Sequence, residues 1–349
     1  MSKNTVFVIG AGASAEVKLP TGNELKEKIS SLLDFRFKHL RQESGDYLIL
    51  DALKQLVYEK DGGNGNIHPY LLEAKFIKEA LPMAISIDNF IDTQKGNKKL
   101  AICGKLAIVR SILQAEKSSL LYFDRFGINP NIDFNLLNEK WFLPFFQILT
   151  ENCSKKDLKE RFRSIVLIIF NYDRCIEHFF YYALQKYYRI TTSEAAEIVN
   201  QISIYHPYGN VGSLPWSGND NILDFGDEPS PKQLIQITTM IKTFTEGTDP
   251  NSSEIVEIRN HVKDSQRIVF LGFAFHPLNM DLINPKIGND EIYTYSKKCF
   301  GTSLGLSDSD KEIIEYHLEN LFHNRIETKM VNKTCFAFFD EFRRSLSFT

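Results

Sequence analysis

Apolar residues in this chain are arranged in two ways. In some places they crowd into strand-length runs: Thr5-Val6-Phe7-Val8-Ile9, Ile165-Val166-Leu167-Ile168-Ile169-Phe170, Gln201 to Tyr205 and Arg267 to Leu271. A run without polar alternation fits a parallel strand covered on both faces, and Ile165–Phe170, apolar at every position, is the strongest of them. Glu291 to Tyr295 is a further strand candidate. Elsewhere apolar residues return every third or fourth position and predict helices. Leu25, Ile29, Leu32 and Leu33 share one face of a helix over Asn23–Leu33, with Thr21 or Asn23 as its cap. Leu48, Leu50, Leu53, Leu56 and Val57 form a stripe, Leu71 to Ala80 another helix, and Ile102, Leu106, Val109 and Leu113 a third. Ile176 to Tyr188 and residues 335–347 read the same way. Gly301 to Ser307 turns into a helix for which Ser309 and Glu312 are spaced as a capping box.

Strands alternating with helices predict an α/β protein, a Rossmann-like doubly wound parallel sheet. The strands end in Gly10-Ala11-Gly12, Asn171-Tyr172-Asp173, His206-Pro207 and Gly272-Phe273, so the polar ends gather along one edge. The stretch 35–163 is mostly helical, broken at Asp61–Asn66, and is expected to be a helical insertion or subdomain within a single domain over 1–349. Residues 217–252, rich in Gly, Asp, Ser and Pro, are expected to form a mobile loop.

Composition narrows the picture only a little. Of 349 residues, 43% are hydrophobic and 24% charged, which is ordinary for a globular protein. A net charge of −3 gives no global reason to bind nucleic acid; the basic pairs Lys155-Lys156 and Arg161/Arg163 sit among acidic residues on solvated helix faces. No run is long enough to span a bilayer, and the first apolar run ends in glycines, unlike a signal peptide. The five cysteines, Cys103, Cys153, Cys175, Cys299 and Cys335, are scattered without a C-x-x-C pair. That pattern offers no structural zinc site and suits a reducing cytoplasm.

Candidate chemistry starts at the first strand end. Glycine permits a tight turn and close approach, and amides at a strand-to-helix turn suit a pyrophosphate. Gly10, Gly12 and Ala15 match the dinucleotide fingerprint in its G/A form. A dehydrogenase would also need an acidic residue ending a second strand about 20 positions later. Asp34 stands at that distance, but it follows a helical pattern and leads into no strand or hairpin signal, so that reading loses its ribose anchor. Asn171 and Asp173 occupy a ligand-binding position, and each also suits a helix cap. His206 and His276 both follow strands.

Taken in order, these motifs resemble those of the sirtuin-like family, in its bacterial anti-phage branch. Gly10-Ala11-Gly12-Ala13-Ser14 with Leu19-Pro20-Thr21-Gly22 is similar to the first motif, Phe170-Asn171-Tyr172-Asp173 to the central Asn/Asp motif, and His206 through Leu214 to the His–Gly motif. Leu271-Gly272-Phe273 and Gly301-Thr302-Ser303 resemble later glycine motifs. Ser86 through Ile91 and Gly104 through Ile108 resemble the helical module of this branch. Two departures point away from its protein deacylases: no four-cysteine zinc ribbon can be built, and Thr21-Gly22-Asn23 stands where deacylases carry Asp-Phe-Arg.

The resemblance implies hydrolysis of NAD+ to nicotinamide and ADP-ribose, with NAD+ as substrate and no metal. Asn171 would orient the ribose or the attacking water, and His206 would be the general base. Gly10, Ala11, Gly12, Ala13, Ser14, Thr21, Asp173, Gly272, Phe273 and Thr302 would hold the dinucleotide. Such an activity implies control by homo-oligomerisation or by a separately encoded ATPase, Argonaute-type protein or phage component, with no direct nucleic-acid or membrane contact. A non-catalytic NAD or ADP-ribose-binding subunit and an NAD-dependent deacylase remain alternatives.

Overall fold

The computed structural model describes residues 5–39, 41–61, 65–128, 130–247, 252–286, 296–323 and 325–348. Its strands are β1 (Thr5–Ile9), β2 (Arg36–Lys38), β3 (Arg41–Ser44), β4 (Ile165–Ile169), β5 (Ser203–Tyr205), β6 (Arg267–Leu271), β7 (Lys297–Thr302) and β8 (Ile326–Val331). Six of them form one sheet in the order β5-β4-β1-β6-β7-β8, and every pairing within it is parallel. The chain builds outward from β1 through β4 to β5, crosses back, and builds the other half from β6. This is a Rossmann-like doubly wound sheet whose strand order reverses between β1 and β6.

The apolar runs explain why the sheet is central. Val6 and Val8 enter one buried cluster while Phe7 and Ile9 enter the other. Val166 and Ile168 alternate with Leu167 and Ile169 in the same way, as do Ile268 and Phe270 with Val269 and Leu271. Strand side chains alternate between faces, so an all-apolar strand needs a layer on each side. The first layer holds helices Gly22–Leu32, Tyr47–Asp61, His68–Ala80 and Lys98–Ser118; the second holds Phe142–Thr150, Leu158–Arg163, Cys175–Tyr188 and Cys335–Leu346. The stretch 35–163 therefore supplies helices to both faces. Burying each large apolar side chain stabilises the fold by about 1.5–3 kcal/mol.

Several local expectations are corrected. Residues 36–44, where no hairpin was expected, form the antiparallel pair β2–β3, apart from the main sheet and largely solvent-facing. The strands β7 and β8 match no expected strand, and Gly301 and Thr302, expected in a turn leading to a helix, end β7. The helix Asp308–Leu321 is capped by Ser307, whose hydroxyl accepts from the Asp310 amide at 3.1 Å, and not by Ser309. Within 217–247 lies a helix, Pro231–Thr238, with a Ser230–Gln233 capping box and buried Leu234 and Ile237. Residues 62–64 of the Asp61–Asn66 break, residues 248–251 of the 217–252 loop and the strand candidate Glu291–Tyr295 lie outside the described residues. Among the described residues no helix is long and apolar enough to cross a membrane.

Candidate functional site

The turn after β1 is tight because it packs backbone on backbone. Gly10 and Gly12 donate their amides to the carbonyls of Leu271 (2.9 Å) and Gly272 (3.0 Å), and Ala13 donates to Gly10 (3.0 Å). A Cβ on Gly10 would meet the Gly272 carbonyl at 2.5 Å, and one on Gly272 would meet the Ala13 nitrogen at 2.0 Å. Gly272 also has φ of +54°, which favours glycine. The close approach expected of a ligand is thus made by the end of β6. The amides of Gly10, Gly12 and Ala13 are engaged with the protein itself.

Asn171 ends β4 beside this turn. Its carboxamide nitrogen donates to the Gly10 carbonyl at 3.0 Å and to the Ser14 hydroxyl at 2.9 Å. A carbonyl only accepts, so the nitrogen must face Gly10 and the orientation of the amide is settled. Among the described residues nothing donates to the side-chain oxygen of Asn171. Asn171 and Ser14 are both buried.

His206 ends β5 one strand further out. Its Nδ1 lies 3.2 Å from the Asn171 carbonyl, and its Nε2 lies 2.8 Å from Glu177 Oε1. Glu177 stands in the first turn of helix Cys175–Tyr188. Both ring nitrogens therefore face acceptors. Burial would lower the pKa of the imidazole, but the Glu177 carboxylate outweighs burial, with the Asn171 carbonyl and Asp173 adding to it, and holds the ring above the ordinary histidine value. Both nitrogens are thus engaged, whereas the expected general base needs one of them open to water. Gly209, three residues on, has φ of +75°, and a Cβ there would lie 1.9 Å from the Met240 carbonyl oxygen.

Asp173 accepts from the Cys175 amide at 3.1 Å, so it does serve the start of that helix. Next to it, Arg174 is buried against Glu116 of helix Lys98–Ser118, at 2.5 Å between Nη2 and Oε2. Arg174 also donates to the carbonyls of Leu223 (2.6 Å) and Gly212 (3.4 Å), while Glu116 accepts from the Gly226 amide at 3.1 Å. The Tyr172 hydroxyl donates to Asp88 in helix Ile87–Thr93. These contacts hold the segment after His206 and the helical module against the end of β4.

Seven of the twelve predicted residues line one or other of two cavities. Ala11, Gly12, Thr21, Gly272, Phe273 and Thr302 line one of about 480 Å³ at the point where the strand order reverses, a volume in the range of small-molecule sites. There the Thr302 hydroxyl accepts from the Gly272 amide at 2.8 Å, and the Thr21 amide and hydroxyl donate to Glu24 as part of a capping box. His206 lines a second cavity of about 240 Å³ together with Arg174, Glu177, Asn210 and Trp216. Asn171, Ser14, Gly10, Ala13 and Asp173 line neither of these two; Asn171 touches His206 of the second through its main-chain carbonyl and Gly10, next to Ala11 of the first, through its carboxamide.

Sequence reasoning missed Glu177, Glu116 and Glu16. The Glu16 carboxylate accepts from the amides of Trp141 and Phe336, both at 3.0 Å, and so caps two helices beside the first cavity. Glu177 carried a signal, an acidic residue in the first turn after a strand end. Glu116 carried none, because its partner is 58 positions away. His276, the competing histidine, caps helix Pro277–Ile283 through the Leu278 amide at 3.4 Å. All five cysteines are free and buried. Burial pushes their thiols up, Cys103 to about 12, which makes them poor nucleophiles.

Fold and site together define a doubly wound parallel α/β protein with cavities at the carboxyl ends of its strands. Compared with protein-family models the chain matches none, and no curated protein matches it.

Proposed function

We propose that this protein is an NAD+ glycohydrolase, taking NAD+ and water to nicotinamide, ADP-ribose and a proton. The observation that carries this reading is the contact between His206 Nδ1 and the Asn171 carbonyl at 3.2 Å. It sets the imidazole of His206 against the main chain of Asn171, whose carboxamide faces the glycine turn, at neighbouring strand ends on the edge where parallel sheets bind ligands. Cleavage of the bond from ribose C1′ to a pyridinium nitrogen releases a neutral base, so no general acid is needed. What the reaction needs is a held ribose, stabilised oxocarbenium-like charge and an acceptor for the proton of water. The free oxygen of Asn171 suits the first task, and His206 the last once Nε2 is released from Glu177. The order of motifs supports a setting in anti-phage defence, where NAD depletion would be triggered by assembly or by a separately encoded partner.

Incubating the full chain with NAD+, with and without acetylated peptide, and following nicotinamide release tests this. Release without peptide, lost in Asn171→Ala and His206→Ala, is the expected result; release only with peptide would point to a deacylase. One observation favours a second reading, a non-catalytic NAD or ADP-ribose-binding subunit: both nitrogens of His206 are already engaged. Calorimetric binding of ADP-ribose with no nicotinamide release, in dispersed and assembled protein alike, would favour it.

A further inference from the structure

We infer that Glu177 is the positioning residue of His206, clamping the imidazole against the Asn171 main chain and governing where its second proton resides. The geometry carries this. Helix Cys175–Tyr188 starts directly after the β4 end, and Glu177 in its first turn places Oε1 2.8 Å from His206 Nε2. The opposite side of the ring meets the Asn171 carbonyl at 3.2 Å. An imidazole held on both nitrogens keeps one plane and one tilt, so its orientation is set jointly by the helix and by β4. Among the described residues Oε2 of Glu177 is buried with no hydrogen-bond partner, and Glu177 lines the same cavity as His206. That oxygen is a ready acceptor when the ring gives up its clamp.

The proton inventory balances. At rest Nε2 and Glu177 Oε1 hold one proton between them across the 2.8 Å contact. When the ring lets go, Nε2–H passes its proton to Glu177, leaving a carboxylic acid and a neutral imidazole with Nε2 open. As the bond from C1′ to nicotinamide breaks and the water oxygen bonds to C1′, Nε2 takes the proton that water loses, and Glu177 gives its own proton to solvent as the clamp re-forms, which is the one proton the reaction releases. The charged groups facing the ring are Glu177 from the helix, Asp173 from the β4 end and Arg174 on the cavity wall. Only Glu177 bonds to it.

The inference rests on the glycohydrolase reading for its kinetic arm alone, because the ring's titration needs no substrate. In the full chain, ring-nitrogen NMR of His206 is followed against pH for the parent, Glu177→Gln and Glu177→Asp. Glu177→Gln keeps the shape and removes the charge, and is expected to weaken proton binding at His206 about tenfold or more. Glu177→Asp is expected to restore part of it. In turnover, Glu177→Gln is expected to lower kcat about tenfold or more with KM for NAD+ unchanged, and to move the pH profile. A titration curve unchanged in Glu177→Gln overturns the inference, as does an unchanged pH profile in an active protein. A shifted titration with no nicotinamide released by the parent supports the clamp and counts against the glycohydrolase reading.

Discussion

Asn171 and Ser14, 157 positions apart, meet through a 2.9 Å hydrogen bond from carboxamide to hydroxyl. The same carboxamide nitrogen also holds the Gly10 carbonyl, so both of its hydrogens serve the turn after β1. Asn171 therefore has two duties: it fastens β4 to the glycine turn, and it holds its side-chain oxygen in one fixed orientation. Asn171→Ala removes both and leaves the buried Gly10 carbonyl and Ser14 hydroxyl without this donor. A loss of about 1–3 kcal/mol of stability is expected, with nicotinamide release abolished. Ser14→Ala removes one partner only and should cost less, about 1 kcal/mol. Urea denaturation of the two variants alongside the release assay checks the order.

The turn itself makes a sharper prediction. In Gly272→Ala the new Cβ would sit 2.0 Å from the Ala13 nitrogen, on a backbone with φ of +54°. Main chain cannot swing aside as a side chain does, so the β6 end must part from the β1 turn. Strain and overpacking each cost about 1–3 kcal/mol, and a combined loss on the order of 3 kcal/mol or more is expected. Gly305→Ala, also at positive φ (+84°) but with open space around its Cβ, should cost clearly less. Equal denaturation midpoints for the two variants would show that the contact with Ala13 is not what matters at Gly272.

What the sequence made legible was what burial writes into it. β1, β4 and β6 lie in the middle of the sheet, are covered on both faces and read as apolar runs. β8 is an edge strand in which Ile326 and Met330 are buried while Glu327 and Lys329 face out, so its alternation was diluted by charge. The hairpin β2–β3 is exposed and polar, and nothing apolar marks it. The capping error came from two serines two positions apart, Ser307 and Ser309, each followed three residues later by an acidic partner. At the site, Asn171, His206 and the glycines stood out because they end strands. Glu177, the partner of His206, left only the local trace of an acidic first turn, and Glu116, the partner of Arg174, is set by how the helices pack, which no local pattern records. That the engaged amides of the turn would face Gly272 was likewise a matter of packing.

The Arg174–Glu116 pair is fully buried, and its guanidinium also holds the Leu223 and Gly212 carbonyls. Burial pushes the Glu116 pKa up, while Arg174 and the Gly226 amide pull against it. Removing one partner strands the other, so Arg174→Met is expected to cost about 3–5 kcal/mol. Replacing both, as Arg174→Met with Glu116→Leu, should recover part of that loss, because two buried charges vanish together. The recovery will be incomplete, since the carbonyls of 212 and 223 still lose their donor. A double-mutant cycle in urea measures the coupling, and strictly additive losses would rule it out.

Asp88 gives the pH-dependent prediction. Burial raises its carboxyl from 3.8 to about 6, with Asp92 adding to the rise, although the Tyr172 hydroxyl, its own backbone amide and Lys105 pull the other way. The native state therefore keeps a proton that the unfolded chain releases near pH 4. Stability from this group is fully present below the unfolded value and is lost as pH rises through about 6. Asp88→Asn cannot ionise, yet its side-chain oxygen can still accept from Tyr172. The variant should thus gain on the parent as pH rises: the difference in Tm, variant minus parent, is expected to increase between about pH 4 and pH 7. Thermal melts of both proteins across that range test it. A flat difference would mean that the Asp88 carboxyl ionises in the fold as readily as in the unfolded chain, and the Tyr172 contact would then be an ordinary bond to a carboxylate.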